Sequence, residues 1–188
     1  ALGDVRWRSA LGRALRDYAD LLSTDEHRLD DADALLLRAL VIHALDDRMS
    51  QVAVALQTRG KLARARGRLR DAEDAIGSAV ALQARFGNER GWSDAMRDLI
   101  DAALDADGPQ RALALAESTL ARSTIRGRAR GRIAALAARA CWTLGQMDAA
   151  VRWCEQALAC LPASDRDTRV RVSVIRDVAR SLDDQSKR

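Results

Sequence analysis

Four segments of this chain align with one another without gaps, and that repetition constrains the fold more than any other property. They are HRLDDADALLLRALVI from His27, GRLRDAEDAIGSAVAL from Gly67, DGPQRALALAESTLAR from Asp107 and GQMDAAVRWCEQALAC from Gly145, at offsets of 40, 40 and 38 residues. Self-similarity at such a period marks a stacked repeat, in which no unit buries its apolar face alone. The matched columns have helical spacing. A small residue (Ala32, Ala72, Ala112, Ala150) is followed four positions on by Leu36, Ile76, Ala116 and Cys154. Three further stand Ala39, Ala79, Thr119 and Ala157, and one further Leu40, Val80, Leu120 and Leu158. Steps of four, three and one hold a single helix face. The recurring alanine predicts close helix approach, where a larger side chain would cost roughly 1–3 kcal/mol of overpacking.

Each of these helices is preceded by another periodic segment. The first carries Leu11, Leu15, Ala19 and Leu22; the second Val52, Leu56 and Ala63; the third Met96, Leu99, Ala103 and Leu104; the fourth Ile133, Ala137, Ala140, Cys141 and Leu144. Short turns are expected at Leu2-Gly3-Asp4, Leu45-Asp46-Asp47 and Phe86-Gly87-Asn88. Alanine, leucine and arginine dominate, β-branched residues are scarce and there are two prolines, a composition that favours helix. The expectation is an all-α solenoid, a single domain over 1–188 with four helix–turn–helix units at about 5–43, 47–84, 89–122 and 126–162, and a last helix over about 165–182. That last helix, with Val170, Val172, Val174, Ile175 and Val178, either caps the fourth unit or begins a fifth. The absent initiator Met and the turn-like Leu2-Gly3-Asp4 suggest a piece of a longer chain with a further repeat before it.

The pattern resembles the tetratricopeptide repeat. In the fourth unit Gly145, Ala150, Ala157 and Pro162 stand where that family places its turn glycine, its two packing alanines and its closing proline. The usual Leu-Gly pair of the first helix is Ala137-Ala138, the usual tyrosine is Cys141, and Pro162 has no equivalent in the other units. The 40-residue period is longer than the family's usual 34 and looks like the variety in large bacterial ATP-binding transcriptional regulators, kinesin light chains and peptide-sensing regulators. The resemblance implies a right-handed superhelix whose first helices line a concave wall that binds a protein segment. The residues left on that wall after core assignment are Arg13, Asp17 and Leu21; Gln57, Lys61 and Arg64; Asp94, Arg97, Asp101 and Asp105; then Arg132, Ala135, Arg139 and Trp142. This alternation of basic, acidic and basic-with-aromatic fits a partner of mixed charge. It does not reproduce the lysine–asparagine clamp with which some family members hold chaperone C-termini. Trp7 and Trp92 are expected to wedge against a preceding unit, and Trp153 to pack under the last helix.

Other chemistries find little support. Cys154 and Cys160 are six apart on one helix and cannot chelate jointly, and Cys154 and Cys141 fill core columns. A zinc site needs four convergent ligands, yet His27 and His43 lie two repeats away. His43, near a helix end, is expected to favour the C-terminal dipole. No Ser–His–acid pattern, phosphate loop or metal motif appears, so neither enzyme nor cofactor is expected. The glycines read as turn punctuation or members of arginine runs. Those runs, Arg59 to Arg70 and Arg122 to Arg132, leave nucleic acid open as a lesser reading, but acids lie close by. A formal charge of +4 from 31 basic and 27 acidic side chains is a mild excess. The cysteine usage and the lack of any 18-residue apolar run point to a reduced, cytoplasmic setting without a membrane span. The expected function is a non-catalytic protein- or peptide-binding module, the sensor or scaffold part of a larger bacterial regulatory protein, for which the resemblance implies a transcriptional regulator, with a self-associating adaptor as the alternative.

Overall fold

In the computed structural model, which describes residues 2–122 and 124–186, nine α-helices account for the secondary structure with a single 3-10 turn, and no strand occurs among the described residues. They are α1 (Leu2–Leu22), α2 (Leu29–Leu45), α3 (Met49–Ala65), α4 (Leu69–Arg85), α5 (Glu89–Asp105), α6 (Pro109–Leu120), α7 (Gly127–Thr143), α8 (Met147–Cys160) and α9 (Arg166–Ser186). The 3-10 turn, Glu26–Arg28, joins α1 to α2, and the Asp25 side chain accepts from the His27 N–H to start it. Contacts divide the chain into two compact units, Ala1–Asp98 and Leu99–Arg188, the division falling inside α5.

Five of the eight connections between helices are made by one recurring turn. Asp47, Gly67, Gly87, Asp107 and Gly145 all take left-handed backbone conformations, with φ of 52, 71, 65, 56 and 72°. At each, the next amide closes a six-residue loop onto a helix carbonyl: Arg48 N to His43 O, Arg68 N to Ala63 O, Asn88 N to Gln83 O, Gly108 N to Ala103 O and Gln146 N to Cys141 O, all at 2.8–3.0 Å. This is the αL helix stop, which consumes carbonyls that the helix end would otherwise leave bare. Glycine meets the conformation without strain, and aspartate is among the few other residues that adopt it. The turns within and between repeats are therefore the same, and α2 to α6 begin every twenty residues, at Leu29, Met49, Leu69, Glu89 and Pro109. The final offset drops to 38 because α6 stops at Leu120 and an irregular connection reaches α7 at Gly127.

Three of the predicted second-helix columns are buried, and the fourth is half-buried at Leu40, Val80 and Leu158 and buried at Leu120. Ala32, Ala72, Ala112 and Ala150 are fully enclosed, as are Leu36, Ala116 and Cys154, with Ile76 almost so. In the first unit Ala19, Leu22, Ala32, Leu36 and Leu62 form one cluster, and Ala53, Ala79 and Ala95 another, closed over by Leu56, Val80 and Leu82. In the second unit α7 packs on α6 and α8, and α9 packs on α8 and α7, so α9 covers the last hairpin. Ile100, Ile133 and Val172 are buried there.

Three expectations are corrected. Leu2-Gly3-Asp4 is the opening of α1 rather than a turn. Trp7 is 67% exposed and wedges against nothing among the described residues, whereas Trp92 is buried. Gly12 and Gly60, within helices, are packing positions. A Cβ on Gly60 would lie 2.4 Å from Ile76 Cγ1 and 3.0 Å from the Ala72 carbonyl, and one on Gly12 would lie 2.6 Å from the His43 ring. Helices α3 and α4, and α1 and α2, approach more closely there than any side chain permits.

His43 is thus not a solvent-facing helix-end charge. It is completely buried, and neither ring nitrogen has a partner. Burial, then the positive charges of Arg16, Arg48 and Arg13, push its pKa down, against a smaller opposing pull from Asp46. The unfolded chain therefore binds a proton here that the folded chain resists, and stability falls as pH drops below the ordinary histidine value. The loss grows as the pH falls through the range in which the unfolded histidine takes up its proton. Chemical denaturation of the wild type and of His43→Gln at neutral and mildly acidic pH checks it. Glutamine is the residue that the next repeat carries at this position, Gln83, and the variant should show the flatter pH profile.

Candidate interaction surface

The polar residues of the first helices in each hairpin, α1, α3, α5 and α7, do not stand alone. In the first unit a buried carboxylate, Asp98 of α5, gathers three of the predicted residues. It accepts from Gln57 Nε2 at 2.6 Å, from Arg97 Nη2 at 2.7 Å, and pairs with Lys61 Nζ at 3.0 Å. Burial pushes the Asp98 carboxyl up, but the charges of Arg97 and Lys61 and the Gln57 hydrogen bond outweigh it and hold the group below its ordinary value. Asp94 meets Arg97 at 3.5 Å on the same helix. Lys61 remains 49% exposed, so its charge is fixed in place and still presented to solvent. Asp17 lies on the exposed side of α1 beside Arg16, at 2.8 Å, and Arg16 also donates to Gln51 of α3 at 3.0 Å. Arg64 is half-buried near the end of α3.

In the second unit Arg139 of α7 spans two acids of α5, Asp101 at 3.0 Å and Asp105 at 3.1 Å, and is 46% exposed. Trp142 is half-buried one position short of the α7 end. Arg132 serves elsewhere. It and Arg128 both donate to the Asp165 carboxylate at 2.8 Å, while Thr168 donates to the other oxygen at 2.8 Å. Hydrogen bonds from Arg132, then Arg128 and Thr168, hold Asp165 well below the usual carboxylate range despite its burial. Asp165 also caps α9, accepting the Arg169 amide on its carbonyl.

The arginine runs are consumed in the same way. Arg59 and Arg66 reach back to Asp33 and Asp30 of α2, Arg68 pairs with Asp71, and Arg130 donates to the Leu120 carbonyl. Sequence reasoning missed both buried acids as centres. The available signal was their position thirty-three to forty-one residues from their partners, the separation that places residues on adjacent first helices.

The cysteines sit as fillers. Cys141 and Cys154 are buried, and burial raises both thiols, Cys154 to about 11. Cys141 floors a recess of about 350 Å³ between α6 and α8, walled by Leu113, Glu117, Arg152 and Trp153. Trp153 lines this recess together with Leu113 and Glu117 of α6. Among the described residues no three His, Cys, Asp or Glu side chains are placed to share a metal, and no helix is long and apolar enough to cross a membrane.

No family model matches the chain, and no curated protein matches it. Solved structures do. A putative kinesin light chain of Podosopora anserina with nearly identical TPR-like repeats superposes with a TM-score of 0.74 at 21% identity, covering 96% of this chain and 90% of that one. A variant of it gives 0.75, also at 21% identity, over 96% and 89%. BtubC (BKLC) from P. vanneervenii gives 0.57 at 12% identity, over 97% and 89%. At these identities the likeness concerns the fold: the chain is an all-α helical-repeat solenoid of TPR-like build.

Proposed function

We propose that this chain is a non-catalytic protein-interaction module that holds a partner segment of mixed charge against its first helices, as the sensor or scaffold part of a larger regulatory protein. The observation that carries this reading is the bridging of adjacent first helices by half-exposed ions, Lys61 on Asp98 and Arg139 on Asp101 and Asp105. A cation already held by a buried or half-buried acid loses little further conformational freedom when a partner carboxylate arrives, so less of the contact energy is lost to ordering. The exposed acid Asp17 of α1 supplies the opposite sign. The TPR-like fold of the kinesin light chain neighbours agrees with such a role, as does the long repeat period. Nucleic acid is the weaker reading, because Arg59, Arg66, Arg68, Arg128 and Arg132 are tied to internal acids.

The test is binding to an array of peptides of mixed charge, followed by fluorescence anisotropy on the best binder. Lys61→Glu combined with Arg139→Glu should weaken that peptide about tenfold or more, a loss of roughly 1.4 kcal/mol, and raised salt should weaken the wild type. Unchanged affinity in a variant that melts at the wild-type temperature would remove the first-helix assignment.

A further inference from the structure

Along α1 the exposed residues Ala10, Ala14, Tyr18 and Leu21 share one helix face, at steps of four, four and three. Tyr18 and Leu21 are 48% and 66% exposed. Core contacts fix which residues of the later first helices correspond to them. Ala19 packs with Leu36 where Gly60 meets Ile76, so α3 matches α1 forty-one residues on. Gly12 faces His43 where Gly131 faces Leu161, so α7 matches α1 119 residues on. The counterparts are Gln51, Ala55, Arg59 and Leu62 on α3, and Ala129, Ile133, Ala137 and Ala140 on α7. None of these is exposed. Ala55 and Leu62 are buried, as are Ile133, Ala137 and Ala140.

What covers them is the second helix of the hairpin before. Leu62 shares a cluster with Ala32 and Leu36 of α2, and Arg59 reaches Asp33 of α2. On α5 the residue matching Ala14 and Ala55 is Ala95, which clusters with Ala79 of α4. In the second unit α6 packs on α7. Alanine at this one position on α1, α3 and α5 leaves room for a helix to approach closely, where a larger side chain would overpack. On α1 alone that position, with Tyr18 and Leu21 beside it, faces water.

We infer that this face of α1 seats the second helix of a TPR-like hairpin carried by another polypeptide. The occupant's character follows from what fills the same face on α3: a helix with alanine, leucine four residues on and alanine three further, as in Ala32, Leu36 and Ala39. A second folded copy of this chain offers none, because α2, α6 and α8 already carry α3, α7 and α9, and α4 carries Ala95 of α5. Nor is the occupant joined to α1 by the repeat's own turn. Helix α3 starts at Met49, just after the left-handed Asp47, whereas α1 continues as helix from Arg8, the counterpart of Met49, back to Leu2. The contact continues the internal interface of the repeat across two chains. It does not use Lys61 or Arg139, and neither inference depends on the other.

Fluorescence anisotropy tests it with a labelled peptide of residues 25–47, which contains α2, held helical by lactam bridges on its solvent side. The peptide should bind the 1–188 chain saturably. Ala14→Asp and Leu21→Asp should each weaken it tenfold or more, and both variants should melt with the wild type because both positions are exposed. Tyr18→Asp repeats the measurement should either variant lose its helical circular dichroism. Absence of saturable binding overturns the proposal, as does a folded α1 variant that binds like the wild type. So does light scattering in which the 1–188 chain associates with itself and Leu21→Asp abolishes the association, since the occupant is then a second copy.

Discussion

Replacing Asp165 with alanine should destabilise the chain by about 2–3 kcal/mol. The side chain is 6% exposed and takes hydrogen bonds from Arg128, Arg132 and Thr168. Removing one member of a fully buried ion pair costs about 3–5 kcal/mol. Arg128 is 54% and Arg132 31% exposed, so water takes up part of their charge once the acid is gone, and the lower figure applies. In thermal denaturation followed by circular dichroism, a chain of this length should melt about 5–10 °C lower. Asp165→Asn, which keeps one side-chain oxygen as an acceptor for Arg128, Arg132 or Thr168, should recover part of the loss. The contribution also has a pH signature. Because the folded-state pKa lies below the unfolded one, the stabilisation is complete above the ordinary aspartate value near about 4 and fades as the pH falls toward the lowered value. An alanine variant that melts with the wild type would show that the two arginines find equivalent acceptors without it.

The second large effect lies at the contact of α3 with α4. Ile76→Ala empties a site that is 1% exposed and should cost about 3 kcal/mol. Gly60→Ala gains about 1 kcal/mol of helix propensity. Its methyl group, however, arrives 2.4 Å from Ile76 Cγ1, and overpacking of roughly 1–3 kcal/mol outweighs the gain. Together the two changes compensate, since the new methyl enters the space that the isoleucine vacates. The double variant should be more stable than Ile76→Ala alone, with a coupling energy of about 1–2 kcal/mol from urea unfolding of all four proteins. Simple additivity would mean that the helices separate to relieve the clash.

The same pair of residues shows what the sequence could and could not disclose. Ile76 was legible, because it recurs at the position of Leu36, Ala116 and Cys154 with helical spacing. Gly60 was not, because a glycine in a basic run looks like a break until the neighbouring helix is in place. The polar residues divide along the same line. That Gln57, Lys61 and Arg97 lie on first helices follows from the period. That they converge on Asp98 depends on how far α5 is offset from α3, which the period does not state. Arg132 was read as part of the concave wall and instead donates from α7 to Asp165, between α8 and α9. His43 was read as a helix-end charge, and its burial follows from Gly12, a residue that belongs to another helix. Periodicity reports which face is inward. It is silent on which residue of the next helix arrives opposite.

The five matching turns at Asp47, Gly67, Gly87, Asp107 and Gly145 bear on how such a chain can lengthen. A duplication of forty residues that begins at Asp47 or Gly67 joins the new copy through a junction that already exists, so no linker has to be invented. A duplication of twenty would join just as smoothly and yet exchange the roles of the two helices in every hairpin downstream, setting the alanine columns against surfaces not shaped for them. The uniform turn makes growth easy at the level of the backbone, and the alternating helix faces restrict it to whole hairpins.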